Sequence, residues 1–277
     1  MPELPEVETV VRSLVPHITG LKVAGAELRF EKTLRRPVAY SFSDLAGRKV
    51  LGIRRRGKMI VIALEGGPAL VFHLKMTGQL MVVPPGEPRD KHVHFILSFA
   101  SGDRELRFRD VRKFGFVRCL EAGCVAEAPE MAGLGPEPLE IGRREFAALF
   151  AGRRGRMKSL LLDQRRIAGI GNIYADEILF ASGVHPRTSA ARLKSDDFAR
   201  VWTEMRRILK RAIAAKGTSI SDYRDADGNE GGFQIRLKVY SRAGEPCPRC
   251  KTPIRRLVVG GRGTHVCPKC QRERMAV

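Results

Sequence analysis

Residues 59–76 read MIVIALEGGPALVFHLKM, and this stretch sets the architecture of the first half of the chain. Two apolar runs that are rich in β-branched residues flank the turn sequence Glu65-Gly66-Gly67-Pro68. Since glycine and proline interrupt regular structure, the pattern predicts two strands joined by a tight turn. Residues 92–110, HVHFILSFASGDRELRFRD, repeat the pattern around a second turn. Repeated short strands between residues 21 and 120 predict a β-sandwich or a β-barrel.

One helix is predicted ahead of the strands, in residues 5–15. Apolar residues recur there at helical spacing. Pro5 suits the first turn of a helix, and Pro16 is expected to end it. Glu6 and Glu8 are favourable at the positive end of the helix dipole, so the helix start accounts for both.

The second half of the chain is predicted to be mostly helical. Residues 121–140 are rich in Ala, Gly, Pro and Glu, and three segments with helical periodicity follow them. These segments are residues 143–152, 172–183 and 195–217. The fold class is therefore α+β with several domains. We assign residues 1–125 to an N-terminal β-sandwich domain, 126–142 to a linker, 143–235 to a helical domain with a loop at 217–233, and 236–277 to a C-terminal module.

Basic residues outnumber acidic ones in this chain of 277 residues. The 50 Lys and Arg against 30 Asp and Glu give a formal net charge of +20. Such a balance indicates a polyanionic partner, nucleic acid or an anionic membrane surface, although composition alone leaves open a simple bias toward arginine codons. No apolar run approaches the ~18–20 residues that cross a bilayer, and the N-terminus lacks the layout of a signal peptide. We therefore expect a soluble, cytoplasmic protein.

Four of the six cysteines form two CxxC pairs, CPRC and CPKC, with sixteen residues between them. A hairpin of that length brings both turns to one metal, so the spacing predicts a four-thiolate zinc site. Two disulfides are the alternative, which a cytosolic chain disfavours. The expected ligands of one structural Zn²⁺ per monomer are Cys247, Cys250, Cys267 and Cys270. Cys119 and Cys124 are expected to be packing thiols.

The zinc hairpin is itself basic. From residue 245 onward the chain carries eight Lys or Arg and two Glu, a net charge of +6. Arg262 stands between two glycines, where a guanidinium and backbone amides could both approach a phosphate. A zinc ribbon can instead be purely structural or bind protein, but this charge favours nucleic acid.

Residues 168–177, AGIGNIYADE, place Gly169 and Gly171 ahead of Asn172 at a predicted helix start. Exposed backbone N–H groups and the helix dipole make such a start an anion site. Asn172 is the expected N-cap, and capping alone is the alternative role for it. In a chain of this charge, a phosphate is the favoured anion.

Carboxylates at the N-terminus surround a candidate nucleophile. If Met1 is removed, Pro2 exposes a secondary amine, and an α-amino group with a reference pKa of ~7.7–8.0 is partly neutral near pH 7. Such an amine attacks a sugar C1′ or an aldehyde and gives an iminium directly. Glu3, which precedes the predicted helix, could shuttle protons to the sugar, and Glu6 could orient the amine. The alternative is that Met1 is retained and Glu3 is a surface acid.

Several motifs, in chain order, resemble those of the formamidopyrimidine-DNA glycosylase family. They are PELPEVET, RRGKM, HLKMTGQL, DVRKFG, AGIGNIYADE and the final CxxC pairs, and together they span nearly the whole chain. The resemblance implies a β-sandwich joined to a helix–two-turns–helix domain and a zinc finger. It also implies a monomeric, bifunctional DNA glycosylase/AP lyase. Such an enzyme excises oxidised purines, such as 8-oxoguanine and formamidopyrimidines, from duplex DNA and nicks the strand by β,δ-elimination.

The resemblance also implies roles for single residues. Pro2 matches the family's nucleophile, Glu3 its proton donor and Glu6 the acid that supports the N-terminus. Lys58 matches a lysine near the lesion phosphates, with an ordinary strand-end charge as the alternative, and is counted with Arg262 among the catalytic residues. The residues implied to contact DNA are Met76, Arg112 and Phe114, which fill the gap left by the extruded base, and His94, Asn172 and Arg262. The loop at 217–233 is implied to close over the damaged base. One departure is the presence of Met1, which blocks the Pro2 amine.

Without the resemblance, Met76 and Phe114 would be taken for core residues. Two alternatives to the implied function stay open. The first is the endonuclease VIII-like branch, which favours oxidised pyrimidines with the same N-terminal chemistry, although PELPE rather than PEGPE argues for the purine branch. The second is a non-catalytic zinc-ribbon DNA-binding protein, which would not account for MPELPE.

Overall fold

The computed structural model describes residues 1–220 and 222–273. Residue 221, within the predicted loop at 217–233, and residues 274–277, at the end of the predicted C-terminal module, lie outside the described residues. Within the described part of the chain, no helix combines the length and the apolar character that crossing a membrane requires.

The chain forms two compact units. The first comprises residues 1–132 and 213–234, and the second comprises residues 133–212 and 235–277. The loop at 217–233 therefore belongs to the first unit, whereas the sequence grouped it with the helical domain. The sequence-based domain limits themselves stay a prediction.

The first unit opens with helix α1, Leu4–Ile18, whose predicted apolar face is buried in the core. Glu3 is its N-cap residue, so helix capping gives Glu3 a structural role that the sequence did not indicate. The prediction that Pro16 ends the helix is wrong, because Pro16 lies inside its last turn. A proline there removes one backbone N–H close to the end of the helix, and the chain continues helically to Ile18.

Eight strands form two four-stranded antiparallel sheets. The strands are β1 Val23–Leu28, β2 Val50–Arg56, β3 Met59–Leu64, β4 Pro68–His73, β5 Gly78–Val83, β6 Val93–Phe99, β7 Glu105–Asp110 and β8 Phe116–Glu121. One sheet has the order β1-β6-β7-β5 and the other β2-β3-β4-β8. The two hairpins expected from the sequence are β3–β4 and β6–β7, and the predicted β-sandwich is confirmed.

The core of the first unit lies between the two sheets. The Phe72 ring contacts the rings of Phe95 and Phe108 from the opposite sheet, with centroids 5.7 Å apart in each pair. Offset and edge contacts of this kind add to the area that the rings bury. Cys119 packs in the same core, as predicted. Cys124 is exposed in the short helix after β8, so its predicted packing role is wrong.

The second unit contains helices and one hairpin. Its elements are α2 Arg143–Phe150, α3 Met157–Leu162, α4 Asn172–Ser182, the helix α5 Ser195–Ala214 that leads out of the unit, and strands β9 Arg255–Val259 and β10 Arg262–Val266. The six residues of α3 are too few to show a helical period, and this helix was not predicted. The three helices expected from the sequence are confirmed within a few residues at each end.

Candidate active site and nucleic-acid interface

The N-terminus of α1 holds Glu3 and Glu6 in a fixed arrangement. Both residues are buried. The backbone N–H of Glu3 donates to Glu6 Oε2 at 2.8 Å, and the Glu3 side chain accepts from the backbone of Glu6 in a capping box. The start of the helix thereby satisfies two of its own backbone donors and fixes both carboxylates beside Pro2.

The second oxygen of Glu6 binds the start of the loop at 217–233. Glu6 Oε1 accepts the backbone N–H of Thr218 at 2.8 Å. Gly217 has a φ of +78°, and a Cβ at this position would lie 3.0 Å from Glu6 Oε1. Glycine therefore suits the position both in conformation and in space. The Tyr223 hydroxyl adds a bond to the carbonyl oxygen of Glu6 at 3.3 Å.

Other described residues of this loop bind helix α1 and strand β5. The Gln79 side-chain amide donates to the carbonyl of Asp222 at 2.5 Å. The backbone N–H of Ala226 donates to the Ser13 hydroxyl, and its carbonyl accepts the N–H of Val82, both at 3.0 Å. These bonds explain why the loop belongs to the first unit.

Lys58 lies in the two-residue turn between β2 and β3, after Gly57. It is only 8% exposed, so an ordinary strand-end charge does not describe it. Burial lowers the pKa of the Met1 α-amino group, and the charge of Lys58 lowers it further, whereas Glu3 and Glu6 oppose this shift. These surroundings favour the neutral form of the Met1 amine.

Met76, Arg112 and Phe114 lie together at one end of a sheet. Gly78 pairs with Asp110 in the β5–β7 ladder, so the segments before β5 and after β7 leave the same end. Met76 is 40% exposed and Phe114 is 52% exposed. The Arg112 guanidinium lies 4.9 Å from the centre of the Phe114 ring. The interpretation of Met76 and Phe114 as core residues is therefore wrong, because both lie beyond the strand ends.

His94 is buried, at 2% exposure, with its ring against Phe30. Its Nε2 lies 2.7 Å from the carbonyl oxygen of Asp110, the residue that begins the segment with Arg112. In this arrangement His94 supports that segment. Its direct contact with DNA stays a prediction.

Asn172 and Arg262 come together in the second unit. Asn172 is the first residue of α4, and its N-cap is Gly171, so the expected capping role of Asn172 is wrong. Its side-chain amide instead donates to the carbonyl of Gly263 at 3.0 Å. Arg262 begins β10 directly after the Gly260-Gly261 turn and is exposed. Both glycines have positive φ, as a two-residue hairpin turn of this kind requires.

Two buried charges hold this hairpin on the helix, and sequence reasoning missed both. Lys158 Nζ lies 2.7 Å from Asp176 Oδ1 and donates to the carbonyl of Gly263 at 3.1 Å. Asp176 Oδ2 accepts the backbone N–H of His265 at 2.8 Å. Asp176 stands in the motif AGIGNIYADE, but no spacing rule connects it to Lys158 or to a hairpin 89 residues away.

The four predicted zinc ligands form one cluster, and their sulfur atoms all lie within 4.8 Å of one another. The Cys247–Cys270 and Cys250–Cys267 sulfur pairs are 3.9 and 3.4 Å apart. Zn–S bonds of about 2.3 Å in a tetrahedron place sulfurs about 3.8 Å apart, so this donor set fits one structural Zn²⁺. The backbone N–H of Arg249 donates to the Cys247 sulfur at 3.4 Å, and such a hydrogen bond stabilises a thiolate that binds a metal.

The chain has a net charge of +20 and a four-cysteine cluster that fits zinc, beside a hairpin with an exposed arginine. These features are typical of a zinc-containing protein that acts on DNA. Comparison with known proteins specifies the class. The formamidopyrimidine-DNA glycosylase N-terminal domain matches residues 1–117, the H2TH domain of the same family matches residues 134–224, and the zinc finger found in FPG and IleRS matches residues 244–272. The chain belongs to the formamidopyrimidine-DNA glycosylase family.

Individual relatives align with this chain over nearly its full length. A formamidopyrimidine-DNA glycosylase of Solibacter usitatus is 49% identical over 98% of this chain and 100% of its own. A Lactococcus lactis FPG mutant in complex with Fapy-dG containing DNA matches with a TM-score of 0.90 at 35% identity, covering 98% of this chain and 100% of its own. The MutM (FPG) protein of Thermus thermophilus matches with a TM-score of 0.88 at 40% identity, covering 98% and 99%.

Proposed function

We propose that this protein is a DNA glycosylase and AP lyase of base excision repair that excises oxidised purines from duplex DNA. The observation that carries the proposal is the N-terminus, where Glu3, Glu6 and Lys58 surround the terminal amine. The Lactococcus lactis relative in complex with Fapy-dG containing DNA supports the substrate class. The bacterial relatives support action in the cytoplasm on nucleoid DNA, and the protein acts as a monomer.

After removal of Met1, the Pro2 nitrogen attacks C1′ of the damaged nucleotide. The C1′–N9 bond breaks, the base leaves with the proton that the Pro2 nitrogen releases, and the sugar ring opens to an iminium on Pro2. Glu3 supplies the proton to the sugar, and Lys58 contacts the phosphates beside the lesion. Loss of a C2′ proton then expels the 3′ phosphate, and a second elimination expels the 5′ phosphate. Zinc takes no part, since four thiolates leave no open coordination position.

Borohydride trapping on a duplex with a single 8-oxoguanine tests the proposal. We expect a covalent complex whose DNA maps to residue 2 by peptide mass spectrometry. Burial lowers the pKa of the Met1 amine; if the Pro2 amine takes the same place after removal of Met1, trapping should be half-maximal at a pH below the ~7.7–8.0 of an ordinary α-amino group. An adduct on Lys58 would disprove the assignment of the nucleophile.

The rival functions predict different results. An endonuclease VIII-like enzyme would process a duplex with an oxidised pyrimidine faster than one with 8-oxoguanine. A non-catalytic zinc-ribbon protein would bind duplex but give no trapped complex on either substrate.

We predict that Phe114→Ala slows excision from intact duplex more than cleavage at a ready-made abasic site. Taking a base out of the stack costs a few kcal/mol, and an apolar side chain that fills the gap offsets part of this cost. Single-turnover rates on both substrates measure the difference. Ile235→Ala is the matched control, since Ile235 is also an exposed apolar residue. Equal slowing on both substrates would mean that Phe114 only supports the fold.

We predict that Arg262→Ala weakens binding to damaged and undamaged duplex alike. The loss of one phosphate contact should make the negative slope of log K against log salt shallower by about 0.9. Titration of labelled duplex at several salt concentrations measures the slope. Arg255→Ala is the control, because Arg255 pairs with Val266 at the other end of the same hairpin and is also exposed. If both variants change the slope equally, Arg262 contributes only general charge.

A further inference from the structure

Asp110, the last residue of β7, is fully buried, yet it forms no ion pair with any described residue. The other buried carboxylate of the same strand, Glu105, is neutralised by Arg107 at 2.9 Å and Arg89 at 2.7 Å. A buried carboxylate without a counterion is costly unless hydrogen-bond donors satisfy it. The hydrogen-bond donors to Asp110 therefore show which segments of the chain this residue fixes in place.

These donors come from the two segments that carry Met76, Arg112 and Phe114. The Thr77 hydroxyl donates to Asp110 Oδ1. The backbone N–H of Arg112 lies 3.2 Å from the same oxygen and 3.1 Å from the Thr77 hydroxyl oxygen. The backbone N–H of Gly115 donates to Asp110 Oδ2 at 2.6 Å. One carboxylate thus joins the segment before β5 to the segment after β7.

Gly115 approaches the Asp110 carboxylate so closely that only glycine fits at this position. A Cβ on residue 115 would lie 2.6 Å from the Phe108 ring and 3.0 Å from Asp110 Oδ2 and from the carbonyl oxygen of His73, so a side chain there would push the segment away from the carboxylate. The carbonyl of Asp110 also accepts the N–H of Lys113 at 3.3 Å. Every residue from 112 to 115 except Phe114 is therefore bound through its backbone to Asp110, and Phe114 is left exposed.

We propose that Asp110, together with the Thr77 hydroxyl, is a positioning residue that holds Met76, Arg112 and Phe114 in one arrangement for base extrusion. The proposal rests on the function proposed above for these three side chains. A carboxylate is suited to this role because both of its oxygens are acceptors. An asparagine would offer one acceptor oxygen and would turn its amide N–H groups toward either Gly115 or Arg112.

Thr77→Val and Thr77→Ser form the central test. Valine keeps the shape and removes the hydroxyl, whereas serine keeps it. Since the net contribution of one hydrogen bond is small, we expect Thr77→Val to slow excision of 8-oxoguanine from intact duplex by about two- to tenfold. Cleavage at a ready-made abasic site should stay within about twofold, and Thr77→Ser should restore excision. The fluorescence of a 2-aminopurine beside the lesion should show slower unstacking in Thr77→Val.

Asp110→Asn should have a larger effect of the same kind, because it leaves a buried N–H without an acceptor. Glu105→Gln is the control for a buried carboxylate in the same strand, and melting temperatures of all variants measure stability. If Asp110→Asn does not fold, Thr77→Val still decides. The proposal is overturned if Thr77→Val slows both substrates equally, if it slows neither, or if serine does not rescue it.

Phe114→Ala separates this proposal from the one on which it rests. If that variant slows both substrates equally, the three side chains have no role in extrusion and both proposals fail. If Phe114→Ala is selective for intact duplex and Thr77→Val is not, only the role of Asp110 fails. If both are selective, the double variant should be less impaired than the product of the single effects, because the two residues act through one arrangement.

Discussion

Replacing Glu3 with glutamine is expected to abolish most base excision while DNA binding is retained. General acid–base assistance is typically worth ~10²–10⁴-fold, and an amide cannot donate the proton that the opening sugar requires. Glutamine still offers an oxygen to the capping box, so α1 should keep its N-terminal cap. Single-turnover excision of 8-oxoguanine, together with duplex affinity and melting temperature, measures these effects separately.

Glu8→Gln is the matched control for this variant. Glu8 lies in the same helix and pairs with Arg12 and Arg55 at 2.8 and 2.9 Å. We expect it to lower stability, since the pair with Arg55 is largely buried, but to change excision little. A loss below tenfold in Glu3→Gln would remove Glu3 from the mechanism. An equal loss in both variants would point to the helix rather than to proton transfer.

Loss of zinc is the second large effect that we expect. The metal-binding free energy of a small zinc module, about 10–16 kcal/mol, is largely its folding free energy. Cys247→Ser or a strong chelator should therefore unfold the hairpin that presents Arg262, and duplex affinity should fall further than in Arg262→Ala. At saturating DNA, borohydride trapping should persist, because zinc contributes to DNA binding and takes no part in the reaction at C1′.

Cys124→Ser is the matched control for this experiment, since Cys124 is exposed and stands apart from the cluster. Elemental analysis should find one zinc per chain in the control and none in Cys247→Ser. A tightly bound zinc that survives Cys247→Ser with full DNA affinity would show that the ligands or the role are different.

The sequence predicted elements whose signal is local. The hairpins β3–β4 and β6–β7 follow from turn residues between apolar runs, and the zinc cluster follows from the spacing of its cysteines. These features depend on residues that are at most 23 positions apart. The short helix α3 was not predicted, because its six residues are too few to show a helical period.

The sequence could not predict contacts between distant segments. Glu6 binds Thr218, which is 212 positions away, and Lys158 contacts Gly263, which is 105 positions away. Neither contact follows from periodicity or from a turn. The buried state of Lys58 and the exposed state of Phe114 were also hidden, because each depends on where a strand ends relative to its neighbours. The resemblance to a family indicated the catalytic and DNA-binding roles of single residues. The structure added the hydrogen bonds and ion pairs that hold those residues in place.

The two hydrogen bonds of the Glu6 carboxylate connect the loop at 217–233 to the N-terminus. One oxygen binds the backbone beside the terminal amine and the other binds residue 218, so the amine and the loop share one ligand. Thermodynamic coupling is reciprocal: if release of the loop alters the basicity of the amine, then a change of charge on the amine alters the affinity of the loop for Glu6 by the same factor. Under that condition, Glu6 couples the protonation of the amine to the position of the loop.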